Sequence, residues 1–128
     1  MKVVVGDLWE VQADFKCIPT NGNVRQDGTA VMGRGVALQA AQRYPEIPEH
    51  LGQNIRLGGN SVHLLPHNLF SFPTKHHWWE KADLTLIRRS AEKLKEYADE
   101  SPKLIFAMPL PGVGNGGRSP EEIWPLLE

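Results

Sequence analysis

A glycine-rich loop near the end of the chain carries the residue types that bind phosphate. The apolar run 104–108 leads into residues 109–117, and Ser119, Pro120 and Glu122 are typical of an N-cap, a first helical residue and a capping-box partner. Glycines let the backbone approach an anion closely, and consecutive N–H groups form a concave nest for it. A helix N-terminus adds partial positive charge. The stretch predicts a phosphate-binding loop, with a mobile surface loop as the alternative.

Two further segments carry candidate chemistry. Residues 32–35, Met-Gly-Arg-Gly, are a second glycine-rich entry to a predicted helix, and residues 72–79, Phe-Pro-Thr-Lys-His-His-Trp-Trp, form a loop rich in functional groups. Adjacent histidines such as His76 and His77 point in different directions, and no third ligand has useful spacing, so no metal site is predicted. Cys17 lies in a predicted buried strand and is interpreted as a core residue, not a nucleophile.

The bulk properties narrow the classes of function. With 128 residues, the chain predicts one domain with a real core. The net charge of −1 argues against a wide nucleic-acid footprint but leaves room for a local basic patch. A single cysteine allows no internal disulfide and favours a reducing cytoplasm. No signal pattern and no apolar run of membrane-spanning length is present, which predicts a cytoplasmic protein without a membrane partner.

The elements that position these segments follow from the hydrophobic pattern. Residues 104–108 are apolar without alternation, which predicts a strand covered on both faces, while residues 48–59 are ambiguous and fit a short helix ending near Gly58. Alternating strands and helices predict an α/β sandwich whose loops converge beyond the carboxyl ends of the strands. The predicted strands are 3–5, 15–18, 62–65, 68–72 and 104–108, and the clear helices are 36–44, 81–98 and a short one at the end of the chain.

Five segments, in this order along the chain, resemble the macro domains, a family that binds ADP-ribose. They are residues 6–8, 14–21, 32–39, 72–78 and 112–117. The Phe-Pro-Thr-Lys-His-His-Trp segment is similar to the loop of a lysine-dependent branch. That branch includes animal terminal ADP-ribose protein glycohydrolases and bacterial antitoxin macro domains that remove ADP-ribose from DNA. The resemblance implies a three-layer α/β/α sandwich with a mixed central sheet over residues 1–128, without the final strand that most macro domains have.

The resemblance also implies an ADP-ribose site. Asp7 would accept a hydrogen bond from the adenine amine, with a helix cap as its alternative role. Asn21 would hold the distal ribose, with an Asx turn before Gly22 as the alternative. The two glycine-rich segments would let backbone amides approach the phosphates. The implied ligand-binding residues are Asp7, Leu8, Asn21, Gly33, Gly35, Val36, Pro111, Gly112, Val113, Gly114, Asn115 and Gly116.

Lys75 is the implied nucleophile. In the lysine branch an unprotonated amine attacks the anomeric carbon of the distal ribose, and burial near apolar or cationic groups lowers the amine pKa enough for this. Asn21 and His77 are the other predicted catalytic residues, His77 by orienting Lys75 or the leaving group. Trp78 is predicted to pack against the long helix, with shielding of the lysine as the alternative. Neither a cofactor nor a metal is expected.

Departures from the family pattern shift the expected substrate. Ile18 replaces the first asparagine of the common Asn-Ala-Ala-Asn signature, which disfavours a water-activating mechanism at that position. Gly116 stands where the animal lysine enzymes place an aspartate, whereas the antitoxin macro domains carry glycine there. This difference favours ADP-ribosylated DNA, or another nucleotide adduct, over a protein carboxylate ester. Residues 22–30 form a small insertion.

Three functions remain open from the sequence. The first is an ADP-ribosyl glycohydrolase that uses Lys75, and the second is an ADP-ribose-binding module without turnover. The third is an ADP-ribose 1″-phosphate phosphatase, because residues 35–37 and 43–45 are also similar to that branch. Only the first needs the lysine. The expected partner is ADP-ribose or an ADP-ribosylated macromolecule such as DNA, and the sequence leaves open whether a toxin or transferase partner exists.

Overall fold

A mixed sheet, with four strands in the part of the chain that the structure describes, forms the centre of the fold. The computed structural model describes residues 7–127, so the predicted strand at 3–5 lies outside the described residues. The strand order is β2-β3-β1-β4; β1 runs parallel to β3 and to β4, and β2 runs antiparallel to β3. The strands are β1 (Phe15–Thr20), β2 (Leu64–Leu65), β3 (Leu69–Pro73) and β4 (Phe106–Ala107), and the helices are α1 (Gly35–Arg43), α2 (Ile47–Gly58), α3 (Leu84–Glu100) and α4 (Pro120–Leu127).

The sheet has a hydrophobic core on each face. Successive side chains of a strand point to opposite faces, and β3 follows this rule because Leu69 joins the core under α1 and α2, whereas Phe70 and Phe72 join the core under α3 and α4. Ile18 and Cys17 divide in the same way on β1. The two cores confirm the predicted three-layer α/β/α sandwich with a mixed sheet.

The helix boundaries have local causes. Asp83 caps α3, because its side chain accepts hydrogen bonds from the backbone N–H groups of Thr85 and Leu86, so the helix begins three residues later than the first residue predicted. The helix α1 ends at Arg43, before Pro45, as its pattern predicted. The ambiguous stretch 48–59 is helical as α2, which ends at Gly58.

Two sequence expectations about the last third of the chain were wrong. Only Phe106 and Ala107 of the run 104–108 form a strand, and Ile105 is 59% exposed, because β4 covers only two residues of β1. The predicted capping box also does not form. Glu122 pairs instead with Arg118 one turn earlier, at 3.4 Å between carboxylate and guanidinium.

Cys17, the single cysteine of the sequence, lies buried in β1. Burial raises the pKa of the Cys17 thiol to about 12, which makes the thiol an inert core group as predicted. No helix within residues 7–127 has the length and apolar character needed to cross a membrane. In the same part of the chain, His, Cys, Asp and Glu side chains form no group of three that could hold a metal ion.

Candidate functional site

A cleft of about 740 Å³ opens where β1 and β3 end. Asn21, directly after β1, lies in one wall of the cleft, and Lys75, just after β3, lies in a second. The loop 112–116 forms the third wall. Gly33, Gly35 and Val36, at the start of α1, complete the lining. The cleft therefore brings together the predicted nucleophile, the predicted ribose-binding amide and both glycine-rich segments.

The Lys75 side chain reaches across the cleft toward the glycine-rich loop. Its Nζ lies 3.5 Å from the carbonyl oxygen of Asn115. Burial lowers the pKa of the Lys75 amine below its ordinary value, the positive charge of Arg34 lowers it further, and the carboxylate of Glu80 acts in the opposite direction. A lowered pKa increases the fraction of neutral, nucleophilic amine at a given pH.

The backbone around Lys75 is fixed on both sides. The N–H of Thr74 donates to the carbonyl of Thr20 at the end of β1 (2.9 Å). The Lys75 carbonyl accepts from the side-chain amide of Asn60 (3.2 Å). The carbonyl of His76 accepts from the N–H of Gly22 (3.0 Å). Because three successive residues are bonded to different parts of the chain, the lysine projects from a rigid base.

Asn21 makes the Asx turn that was its alternative role. Its Oδ1 accepts from the N–H of Asn23 (2.9 Å), and its Nδ2 donates to the carbonyl of Val31 (3.0 Å). These two bonds fix the orientation of the amide. An amide nitrogen has two donor protons, so one remains for a ligand in the cleft that Asn21 lines.

The positive helix end at the cleft is that of α1. Residues 33–37 line the cleft, whereas Ser119 and the start of α4 do not. The first N–H groups of a helix have no partner within the helix and carry partial positive charge. From the sequence we expected the start of α4, after residues 109–117, to supply this positive charge. In the structure the start of α1, after Gly33, supplies it instead.

The glycine-rich loop is packed against the rest of the fold. Gly112 has φ +79°, and a Cβ there would lie 2.8 Å from the Cδ1 of Ile87. The Arg118 backbone N–H donates to the Gly112 carbonyl (2.9 Å), and its Nε donates to the carbonyl of Ala82 (2.8 Å). We call these bonds, together with the pair to Glu122, the Arg118 clasp. The loop is therefore held against the rest of the fold by packing and by hydrogen bonds.

Four predicted residues lie outside the lining of the cleft. Asp7 is exposed and its carboxylate accepts from the N–H of Trp9 (2.9 Å), which is the capping alternative. Leu8 packs on the core beside α1 and α2, and Pro111 is buried. The ring of His77 bonds to the side chain of Asn23 (3.2 Å) and does not line the cleft. The ligand and catalytic roles of these four residues stay predictions.

Comparisons with known proteins agree on one family. No protein-family model matches the chain. The protein named DNA ADP-ribosyl glycohydrolase of Mycobacterium tuberculosis is 30% identical over 128 residues, covering 92% of this chain and 35% of the relative. The protein of the same name from Thermus aquaticus is 31% identical over 130 residues, covering 91% of this chain and 34% of the relative. The chain thus spans about a third of the length of these relatives.

Solved structures give the same result. The macrodomain of Mycobacterium tuberculosis DarG superimposes with a TM-score of 0.77 at 27% identity, covering 94% of this chain and 82% of that one. The chain belongs to the macro-domain family. Thermosipho africanus DarTG in complex with ADP-ribose shares the fold with this macro domain at a TM-score of 0.75 and 19% identity, over 95% of this chain and 36% of that chain.

Several lining residues of this macro domain were not assigned to the site from its sequence, and Arg25 and Arg34 are the two charged ones among them. Trp78 also lines the cleft, which fits its alternative role beside Lys75 and not the expected packing against α3. The physical reason is the hydrogen bond from the Trp78 N–H to the side chain of Asn23 (2.7 Å), which draws the segment toward the insertion 22–30. Arg34 stood inside the glycine-rich motif, and its charge was the one signal that could have identified it.

Proposed function

We propose that this macro domain binds ADP-ribose in the cleft and hydrolyses ADP-ribosyl groups from DNA. Relatives at 30% and 31% identity are named DNA ADP-ribosyl glycohydrolase. A fold neighbour was solved in complex with ADP-ribose. The cleft of about 740 Å³ lies in the size range of small-molecule sites. Because fold alone does not determine chemistry, the proposal depends on the lining residues.

The residues that line the cleft fit both the diphosphate and the distal ribose of ADP-ribose. The start of α1 and the loop 112–116 present backbone to the cleft from two sides, and a helix N-terminus is a favourable position for phosphate. The remaining donor proton of Asn21 would donate a hydrogen bond to a ribose hydroxyl of the ligand. Arg25 and Arg34 add positive charge to the same cleft, which favours an anionic ligand.

The observation that carries the hydrolase proposal is the position and pKa of Lys75. The amine lies in the cleft with a lowered pKa, on a backbone fixed by Thr20, Asn60 and Gly22. Its lone pair attacks the anomeric carbon of the distal ribose, the bond to the modified base breaks, and the base takes up a proton from water. A water molecule then attacks the lysine adduct, which releases ADP-ribose and restores the amine.

Replacement of Lys75 tests this proposal. We expect Lys75→Ala to reduce release of ADP-ribose from an ADP-ribosylated oligonucleotide by at least about a thousandfold, since the nucleophile is lost. The affinity for free ADP-ribose, measured by calorimetry, changes less than about threefold if the lysine mainly acts in the chemical step. Lys81→Ala is the matched control, because Lys81 is an exposed lysine outside the cleft lining. Full activity of Lys75→Ala would contradict the nucleophile role.

A binding module without turnover is the second candidate. The residues that line the cleft include no Asp or Glu within the described part of the chain, and Gly116 is one of them. The cleft thus offers no carboxylate for proton transfer to a leaving group. If wild-type protein binds ADP-ribose but releases none from modified DNA, modified peptide or ADP-ribose 1″-phosphate, the binding module is the correct function.

A further inference from the structure

Three aromatic side chains next to Lys75 are held at the rim of the cleft instead of in a core. We call His77, Trp78 and Trp79 the aromatic ledge. Trp78 is 45% exposed and Trp79 is 63% exposed, although large aromatic side chains gain free energy by burial. A cluster of exposed apolar groups that borders a site is characteristic of a binding surface.

The rings of the ledge present flat faces at defined angles. The centroids of the His77 and Trp79 rings lie 4.7 Å apart and the rings are nearly parallel, at 9°. The Trp78 and Trp79 rings meet edge to face, at 5.6 Å and 90°. Arg34 lies 5.9 Å from the centroid of the Trp78 ring. His77 covers one face of the Trp79 ring, and 63% of the Trp79 surface remains exposed to solvent.

Hydrogen bonds hold the ledge in place before any ligand binds. The N–H of Trp78 donates to the Oδ1 of Asn23 (2.7 Å), whose Nδ2 lies 3.2 Å from the Nδ1 of His77. The N–H of His77 donates to the carboxylate of Glu80 (2.8 Å). Ordering a flexible surface on binding costs free energy, so a surface that is already ordered binds more tightly for the same contacts.

The ledge borders the cleft beside Lys75, the proposed nucleophile. Trp78 lines the same cleft as Lys75, three residues further along the chain, and Trp79 follows it outward. Arg25 and Arg34 also line the cleft, and the described lining contains no carboxylate side chain. Flat aromatic faces beside cationic groups are the combination that binds single-stranded nucleic acid.

We propose that the aromatic ledge stacks the unpaired bases of a single-stranded nucleic acid that carries the ADP-ribosyl group. This inference rests on the proposed function and assigns to the ledge the recognition of bases beside the ADP-ribosylated nucleotide. Bases in a duplex are already stacked on their neighbours and cannot offer their faces to Trp79. The ledge therefore selects a single strand over a duplex, and a nucleic acid over a protein.

Binding of an unmodified oligonucleotide tests the ledge without any turnover. The probe is a fluorescein-labelled single-stranded DNA of about eight nucleotides, in line with the site sizes of single-strand binders, and the readout is anisotropy at low salt. We expect Trp79→Ala to weaken binding about tenfold, since one base–aromatic stack is lost. Trp79→Phe restores most of the affinity because it keeps a flat ring, and the duplex of the same sequence binds more weakly than the single strand.

Controls separate stacking from folding and from ADP-ribose binding. Leu57→Ala, at a side chain that is 84% exposed on α2, is the matched control and leaves strand binding unchanged. The affinity of Trp79→Ala for free ADP-ribose also stays at the wild-type value, because Trp79 does not line the cleft. Equal binding of the strand by Trp79→Ala and wild type overturns the proposal, as does equal binding of single strand and duplex.

A hydrolysis experiment distinguishes this inference from the proposed function. With active wild-type protein, Trp79→Ala lowers kcat/KM for an ADP-ribosylated oligonucleotide about tenfold and leaves the value for an ADP-ribosylated nucleoside or peptide unchanged. An equal loss on the peptide overturns selection of nucleic acid. If wild type binds the strand through Trp79 but releases no ADP-ribose, the hydrolase proposal fails and the ledge remains supported.

Discussion

The two loops that face each other across the cleft are built in opposite ways. The segment 74–79 presents side chains from a backbone that is hydrogen-bonded to Thr20, Asn60 and Gly22. The segment 109–117 presents backbone, with a 3₁₀ turn at Gly114–Gly116 and positive φ angles on either side of it. The first loop carries reactive groups, and the second can only hold a ligand.

This difference predicts opposite responses to mutation. A loop that acts through side chains loses function when they are truncated, as tested above for Lys75 and Trp79. A loop that acts through its backbone loses function when a side chain is added. Substitutions in each segment therefore distinguish the two kinds of loop.

A side chain at Gly112 is expected to have the largest effect on folding. The residue has φ +79°, and an added Cβ would lie 2.8 Å from the Cδ1 of Ile87 and 3.2 Å from the side chains of Ala82 and Ile123. Backbone strain and overpacking together lower the free energy of unfolding by about 3 kcal/mol in Gly112→Ala. Urea denaturation measures this change.

Gly114→Ala is the matched control for the packing contribution. Its φ is +71°, but an added Cβ would meet no atom within 4 Å. We expect strain alone, about 1 kcal/mol. Equal losses in the two variants would mean that the loop does not pack against α3 and α4 as described.

Arg34 and Glu80 shift the pKa of the Lys75 amine in opposite directions. In the proposed mechanism release requires the neutral amine, so we expect the rate to rise with pH through the pKa of Lys75. Burial is the main cause of the lowered pKa, Arg34 the second, and Glu80 opposes both. Arg34→Gln therefore raises the pKa of Lys75 and moves the pH–rate profile to higher pH, which lowers the rate near neutrality.

Glu80→Gln is the counterpart and moves the profile to lower pH. The amide oxygen of glutamine can still accept from the N–H of His77, so the segment keeps its hydrogen bond while it loses the charge. Single-turnover rates measured across pH give both shifts. Shifts of the same sign in the two variants would show that these charges do not set the pKa of Lys75.

Loss of the Asp83 side chain is expected to have the smallest effect. The carboxylate of Asp83 caps α3 and lies 3.5 Å from the Nε2 of His76. The backbone N–H of Asp83 donates a hydrogen bond to the carbonyl of Thr74. Asp83→Ala lowers the free energy of unfolding by about 1 kcal/mol, and Asp83→Asn restores most of it. The rate of release stays near wild type, since the backbone bonds remain. A large loss of rate would show that side chains, too, position the lysine loop.

The convergence of Asn21 and Lys75 on one cleft was predictable from the sequence, for a physical reason. Asn21 and Lys75 follow two neighbouring strands, and parallel strands end at the same edge of a sheet. The two glycine-rich segments were recognised because glycine permits a close approach of the backbone. The nucleophile role of Lys75 came from the family resemblance alone, because an isolated lysine in a sequence usually indicates only a solvated charge.

Other features depend on contacts between distant parts of the chain and were not predictable. Helix α2 was ambiguous partly because of Gly52, a residue that weakens a helix; an added Cβ there would clash with the carbonyl oxygen of Gly28. The location of Trp78 depends on a hydrogen bond to Asn23, 55 residues earlier. The apolar character of Ile105 indicated burial, but its exposure depends on how far β4 pairs with β1.

The Arg118 clasp has a consequence for the rate of ligand entry. Because bonds within the chain already hold residues 112–118 in shape, no slow rearrangement has to precede or follow the encounter with ligand. Association of ADP-ribose in stopped flow is then a single exponential whose rate rises linearly with concentration, without a plateau.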